Sequence, residues 1–449
     1  MNWKPKTAST RKGAAGRQTN RQNRFPAEPC LLSFLLFSFR IVPAAALCLC
    51  GRLPAHALCD EVCPSVQAKS HAADPAPPEE TTILARTLKR IRIGFDATTA
   101  LQGAWREGRS GFSSRDELEA SGSIDLEATW RVSESCSVYG HVESGVGAGL
   151  DGRIPSLTGF NGDADDDPNL RLTELWFRIP FAAGGAAFTA GKINLAGPGD
   201  YGPPVRFFDA NDLANNERNQ FLSPMFINSV VLPFPDPGPG AILEASLAEW
   251  FDVGIGAADA DIDPETGESD PDWGRLGDSL FCIVEAAFHP TLREQKGSWR
   301  IYGWIHDAGY PDVRGLDEKR CNWGWGLSLD QTVRRDLAVF GRVGWQRPEA
   351  ARIEFSWSLG AQLSMDALGR ESDALGLAFG AAGLSEPWRE AFRAAGGDPA
   401  DELHLECYYN WRAGAHVLVS PDFQCIWRPD GCAGAPPVWT LGCRIHLFF

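Results

Sequence analysis

Trp439-Thr-Leu-Gly-Cys-Arg-Ile-His-Leu-Phe-Phe449 separates into two sets when it is read in steps of two. Phe449, Leu447, Ile445, Cys443, Leu441 and Trp439 form an apolar set. Phe448, His446, Arg444, Gly442 and Thr440 form one that is mostly polar or small. Successive side chains of a strand point to opposite faces, so this is a strand with one apolar and one polar side. The same alternation recurs upstream. Trp299, Ile301, Gly303 and Ile305 alternate with Arg300, Tyr302, Trp304 and His306. Trp325, Leu327 and Leu329 alternate with Gly326, Ser328 and Asp330, and Leu337, Val339, Val343 and Trp345 with Phe340, Arg342 and Gln346. A soluble sandwich also buries one face of each strand. Here, however, the polar face is dense in Arg, Asp and Glu, and a strand ending on an aromatic suits the closing strand of a membrane barrel, which has no free edge.

Strands are expected at 92–105, 119–131, 135–149, 170–181, 185–194, 240–248, 250–258, 278–289, 297–306, 322–333, 336–346, 353–364, 373–382, 402–412, 415–427 and 437–449. One or two more are open around Phe226 to Leu232. The expected fold class is all-β, a transmembrane antiparallel barrel of about 16 strands (16–18) over 91–449. Long acidic connections, such as Asn161–Pro168 and Asp259–Asp272, alternate with short turns such as Arg334-Arg335. That asymmetry is the pattern of an outer-membrane barrel.

Composition agrees. Sixteen Trp, 25 Phe and 47 Gly accompany only 3 Met in 449 residues. The mean hydropathy of −0.21 fits a barrel, because inward polar residues cancel outward apolar ones. A net charge of −16 argues against nucleic acid as a partner and supplies no polybasic patch for anionic lipid. Residues 1–57 read as a targeting segment: Lys4, Lys6, Arg11, Lys12, Arg17, Arg21 and Arg24 come before any acid. The apolar stretch Leu31–Cys50, interrupted by Arg40 and Pro43, follows, then the small-x-small site Ala55-His56-Ala57. Residues 58–90 read as a Pro/Ala-rich linker with a short helix over 81–89. Of 12 cysteines, Cys407, Cys425 and Cys443 share the apolar parity of their strands and are expected to face lipid as small hydrophobes.

Neither a nucleophile with an adjacent base nor a phosphate-binding loop appears, so an enzyme is not expected, and no cofactor or metal is expected either. Asp163, Asp165, Asp167 and Glu174 stand at calcium-loop spacing, but Pro168 occupies the position that needs Gly.

One ordered series is more specific. Gly191-Lys-Ile-Asn194 is followed by Phe207-Phe-Asp-Ala-Asn-Asp-Leu-Ala-Asn-Asn-Glu-Arg-Asn-Gln-Phe-Leu-Ser-Pro-Met-Phe-Ile-Asn228. Then come Arg300-Ile-Tyr-Gly-Trp304, Gly326-Leu-Ser-Leu-Asp-Gln331, Phe340-Gly-Arg-Val-Gly-Trp-Gln346, Trp357-Ser-Leu-Gly-Ala-Gln362 and Ser420-Pro-Asp-Phe-Gln424. Over roughly residues 90–449 the series resembles the carbohydrate-selective porins of the OprB family. It departs after Gln424, where Cys-Ile-Trp-Arg-Pro429 stands. The resemblance implies a barrel of about sixteen strands with a central constriction, and passive diffusion of glucose-like monosaccharides without cofactor or covalent chemistry.

A sugar pore needs donors and acceptors for hydroxyls, and flat rings for pyranose C–H faces. Its binding must also be weak enough to release the solute. The candidate lining is His141, Glu143, Glu174, Trp176, Arg178, Lys192, Asn194, Arg300, Tyr302, Trp304, Asp330 and Arg342. The loop bearing Asp209, Asn211, Asp212, Asn215, Asn216, Glu217 and Gln220 is expected to fold inward and narrow the channel. The competing reading of each inward charge is an ion-pair ladder that braces the wall. Expected partners are small sugars, outer-membrane lipid and the barrel assembly machinery, with monomer and homo-oligomer both open. A general or organic-acid porin, a barrel enzyme and a plugged structural or adhesin barrel are the alternatives.

Overall fold

The computed structural model describes residues 90–106, 117–197, 206–261, 279–316 and 319–449. The targeting segment, nearly all of the linker, its short helix and part of the acidic 259–272 connection lie outside the described residues. Among the described residues seventeen strands are present: β1 (Ile91–Trp105), β2 (Glu117–Ser133), β3 (Cys136–Val146), β4 (Arg171–Phe181), β5 (Ala186–Ile193), β6 (Gly238–Ala248), β7 (Phe251–Asp259), β8 (Leu280–Phe288), β9 (Thr291–Leu292), β10 (Gln295–Pro311), β11 (Lys319–Arg334), β12 (Leu337–Gln346), β13 (Ile353–Met365), β14 (Arg370–Leu384), β15 (Glu402–Gly414), β16 (Val417–Trp427) and β17 (Val438–Phe448). β9 is two residues long and pairs with the start of β10, while β8 pairs with β10 directly. The other sixteen form a meander in which each strand lies antiparallel to its sequence neighbours.

The sheet closes between its first and last strands, from Asp96 opposite Phe448 to Trp105 opposite Trp439. Closure pairs every edge, which is what a strand-built membrane protein requires. Among the described residues no helix is long and apolar enough to cross a membrane.

The alternation read in the last strand holds in space. Leu441, Ile445 and Leu447 are exposed on the outer surface, while Thr440, Arg444 and His446 are buried within. Trp299, Ile301, Trp325 and Leu329 are likewise exposed, and Tyr302, Trp304, Ser328 and Asp330 are buried. An apolar outside around a polar inside inverts the soluble arrangement. Cys407 and Cys443 keep the outward parity with partial exposure. Cys425 keeps the parity but is fully buried. It lies between Phe423 and Trp427 and opposite Trp439, whose rings pack on one another at 5.9 and 6.2 Å.

All turns at one end are short, as at 134–135, 249–250, 335–336 and 415–416. The other end carries the long connections, and 147–170 and, of the next one, residues 206–237 run into the barrel. No strand forms around Phe226 to Leu232. Ser223 instead accepts a hydrogen bond from Met225 N and Pro224 starts a single helical turn, α1 (Pro224–Ile227), with its apolar residues buried. A second helix, α2 (Glu386–Ala394), stands on the long β14–β15 connection.

Candidate functional site

The segment from Arg206 to Leu232 crosses the lumen, and its own side chains shape it. Asn211 Oδ1 accepts from Leu213 N at 3.1 Å, and Asn216 Oδ1 accepts from Arg218 N at 2.9 Å. Gln220 Oε1 accepts from Asn215 N and Asn216 N at 2.8 and 3.1 Å. Much of this amide richness therefore closes local turns, as Asx-type residues do. The apolar residues Leu213, Phe221, Met225, Phe226 and Val231 pack with Phe340 and Tyr408 of the wall. Room for this comes from inward glycines: a Cβ at Gly256 would run into the Phe208 ring, and one at Gly344 would reach Val231 at 2.5 Å.

Wall side chains cap the segment's backbone. Glu285 accepts from Asp209 N at 2.9 Å, and Glu406 accepts from Leu222 N and Ser223 N. Arg444 donates to the carbonyls of Glu217 and Gln220. Arg342 donates to Asp209, Ala214, Asn215 and Phe226. A buried main-chain group without a partner costs about 1–3 kcal/mol, so these caps are what allow an irregular segment to lie inside a barrel.

On the short-turn side of this segment lies a cavity of about 340 Å³. Arg178, Arg206, Phe207, Glu244, Asp252 and Glu285 line it, together with His289 and Arg300. Each guanidinium has a carboxylate partner. Arg178 meets Glu244, and Arg206 meets Glu285 at 2.9 Å. His289 meets Asp252 at 2.7 Å, and Arg300 meets Asp330 at 2.7 Å. A band of alternating guanidinium and carboxylate thus runs from β4 to β11 around one side of the lumen.

The expected lining residues separate by depth. Glu143 and Arg178 are partly exposed toward the lumen, and Asn194, just past the end of β5, is half-buried. Arg300 and Asp330 stand in the charged band, Arg300 at the cavity. His141, Glu174, Trp176, Tyr302 and Trp304 face inward but are buried. Glu174 accepts from Trp176 Nε1 at 2.9 Å and from Asn194 N at 3.3 Å, so it ties the exit of β5 to the wall. Arg342 is buried under the crossing segment. Lys192 departs from the expectation: it pairs with the exposed Leu175, on the outward parity shared with Phe188, and its Nζ donates to Leu172 O at 2.8 Å. The reason is a count of one. Ile193 is the buried inward residue of that strand end, so its neighbour points out. In the crossing segment Asp212 is exposed, Asn215, Asn216, Glu217 and Gln220 are half-buried, and Asp209 and Asn211 are buried.

Sequence reading missed Arg206, Glu244, Glu285 and His289, and the brackets Glu402, Glu406 and Arg444. Glu244 and Glu285 carried a signal, each being a lone carboxylate inside an apolar strand. The 147–170 connection was also missed as a wall of the lumen. Its Leu150, Ile154 and Phe160 pack against Ala104, Ile426 and Val438. Glu402 holds Ser156 Oγ at 2.8 Å and Leu157 N at 3.0 Å, and Gly162 N donates to Leu222 O of the crossing segment at 2.8 Å.

Two of the acids at calcium-loop spacing, Asp165 and Asp167, have a cation of their own. Arg171 contacts Glu143 at 2.9 Å, Asp167 at 3.5 Å, and Asp165. Asp125, His141 and Glu143 present ligand-type atoms within 4.8 Å of one another. Arg218 already stands 3.1 Å from Asp125, and Arg171 holds Glu143. Both carboxylates of this group are thus already paired with a guanidinium.

Comparison with known proteins agrees with this architecture. The model of the family described as carbohydrate-selective porin, OprB family, matches residues 109–449. The structure of Pseudomonas putida OprB at high pH superposes with a TM-score of 0.69 at 16% identity, covering 81% of this chain and 96% of that one. An uncharacterized protein of Aquifex aeolicus (strain VF5) is 40% identical over 220 residues, 49% of this chain and 55% of its own length, so the match spans about half of that relative. With a closed sixteen-strand barrel, an apolar outer surface and a family match across three quarters of its length, the chain belongs to the OprB family of carbohydrate-selective porins and is a protein of the bacterial outer membrane.

Proposed function

We propose that this porin passes monosaccharides of the glucose type by passive diffusion, and that the paired-charge cavity beneath the crossing segment is where the solute is held. The observation that carries the reading is the pairing itself. Each guanidinium in the cavity lies against a carboxylate, so donors and acceptors stand side by side with little net field. Adjacent hydroxyls of a sugar can accept from the guanidinium and donate to the carboxylate, replacing the water they lose. The Phe207 ring offers an apolar face for the C–H side of a pyranose. A volume of about 340 Å³ lies at the low end of small-molecule sites and favours one sugar ring over two. A neutral solute also leaves easily, which a channel needs.

In this reading Arg178, Arg206, Arg300 and Glu244 touch the solute, and the buried Glu285 holds Arg206 in place behind them. The buried His141, Glu174, Trp176, Tyr302 and Trp304 brace the wall behind it. Asn194, Asp212, Asn215 and Asn216 form the approach. Lipid surrounds the barrel, and the barrel assembly machinery inserts it. Arg300→Ala removes the partner of Asp330 and one donor of the cavity. Glucose swelling of reconstituted vesicles is expected to fall about tenfold while small-ion conductance stays within a factor of two. Equal losses in both would show that the variant merely closes or unfolds the pore.

A further inference from the structure

The anchors of the crossing segment differ in reach. Glu285, Glu406, Asn410 and Arg444 each hold one short stretch of its backbone. Arg342, in the middle of β12, spans both its outgoing and its returning halves. Its Nε lies 3.2 Å from Asp209 Oδ1, and its Nη2 donates to Asp209 O and Asn215 Oδ1, both at 2.9 Å. Its Nη1 donates to Ala214 O at 2.7 Å and Phe226 O at 2.8 Å. The side chain is only 2% exposed, so no solute reaches it. Between the tied points stands the rim that faces open lumen: the exposed Asp212 and the half-buried Asn215 and Asn216.

The geometry points to Arg342 as the residue that sets the size limit of the pore, by fixing how far this rim projects. The inference rests on the sugar-porin reading and adds a determinant of selectivity that never touches solute; Arg342 is a positioning residue. Loss of the guanidinium leaves the buried carbonyls of Asp209, Ala214 and Phe226 without this donor and the buried Asp209 carboxylate without its cation. The inexpensive response is for residues 209–226 to swing off the wall toward water. Lysine cannot substitute fully, because an ammonium is a single point and the acceptors are spread around a planar fork.

The test compares wild type, Arg342→Gln, Arg342→Lys and Asp209→Asn in proteoliposomes and planar bilayers. Heat-modifiable electrophoretic mobility selects correctly closed barrels. Solutes are glucose, a disaccharide and a trisaccharide. For Arg342→Gln the disaccharide rate should rise at least fivefold against less than twofold for glucose. Single-channel conductance should rise about twofold with added flicker. Arg342→Lys should fall between wild type and Arg342→Gln, and carries the test if Arg342→Gln does not assemble. Asp209→Asn keeps the bonds to Ala214 O and Phe226 O and should change the size limit least. An unchanged size limit in folded Arg342→Gln or Arg342→Lys, beside a wild type that passes glucose, overturns the inference alone. A wild type that passes no sugar overturns the sugar reading, and this inference with it.

Discussion

A guanidinium presents five donors in one plane, and the interior of this barrel uses that property repeatedly. Arg171 gathers three carboxylates of the wall and the 147–170 connection, Arg218 stands among Asp96, Asp125 and Glu127, and Arg342 gathers the crossing segment. The calcium-loop spacing of these acids, broken by Pro168, holds a protein cation: Arg171 meets Asp165 and Asp167, six and four residues upstream. Asp163, outside the strands, is the acid of that series with a different environment. Burial, with negative Glu217 nearby, pushes its carboxyl up to about 7, against which Ser123 supplies one hydrogen bond. A folded value raised above the usual carboxylate range near 4 means the folded connection favours the protonated acid. Its stability is therefore greatest at low pH and declines as pH climbs from about 4 toward 7. Hydrogen exchange over residues 159–165, corrected for intrinsic rate, should accelerate between pH 5 and pH 8 in wild type and stay level in Asp163→Asn. Equal pH dependence in both would contradict this. Inward parity was legible at this scale for Arg300 and Asp330, which sit on neighbouring strands one diagonal step apart. What those side chains touch was not legible, because the partners of Arg342 come from a loop more than a hundred residues away.

The strands and the inward connections differ in how local their information is. Each strand carries its own period-two pattern, and the faces of the other fifteen strands of the meander follow once one is assigned, so the expected boundaries lie within a few residues of those observed. One or two extra strands were open around Phe226 to Leu232, where Phe-Ile-Asn-Ser-Val-Val-Leu is rich in β-branched and aromatic residues. The barrel interior overrides that propensity: Ser223 and Pro224 begin a helical turn, and the same apolar residues fill a core between loop and wall. Such an element depends on distant caps. Leu222 N and Ser223 N both end on Glu406, at a sequence separation of more than 180 residues. Glu406→Ala should cost the segment about 1–3 kcal/mol for each buried donor left unpaired. Limited trypsin cleavage after Arg218 should then proceed at least tenfold faster, while the heat-modifiable barrel persists. Glu406→Gln keeps one acceptor oxygen and should lie between. Cleavage of Glu406→Ala at the wild-type rate would show that apolar packing alone holds the segment.

At the scale of the whole molecule the sequence divides its polarity by face, and closure turns that division into an inside and an outside. Exposed Leu377, Leu359, Ile255 and Leu441 lie on the outer surface, and buried carboxylates and arginines lie within. Leu377 is near the middle of β14, so Leu377→Arg should cost about 2–4 kcal/mol in a bilayer, and refolding yield into vesicles should fall sharply. Leu377→Ala should refold nearly as wild type. If both variants refold alike, the outer surface is not the lipid-facing one. This level was the most legible, since a period of two and a closing last strand need no knowledge of tertiary contacts; the lumen's selectivity was the least, since it is set by where two long connections come to rest. The central claim is that the rim and the paired-charge cavity together select a neutral single-ring solute. Its most direct test is osmotic swelling of vesicles containing the folded wild-type barrel, with glucose, a disaccharide and gluconate at matched osmolarity. The structure predicts swelling with glucose at several times the rate for gluconate and at least ten times the rate for the disaccharide; equal rates for glucose and gluconate, or no swelling at all, would contradict it.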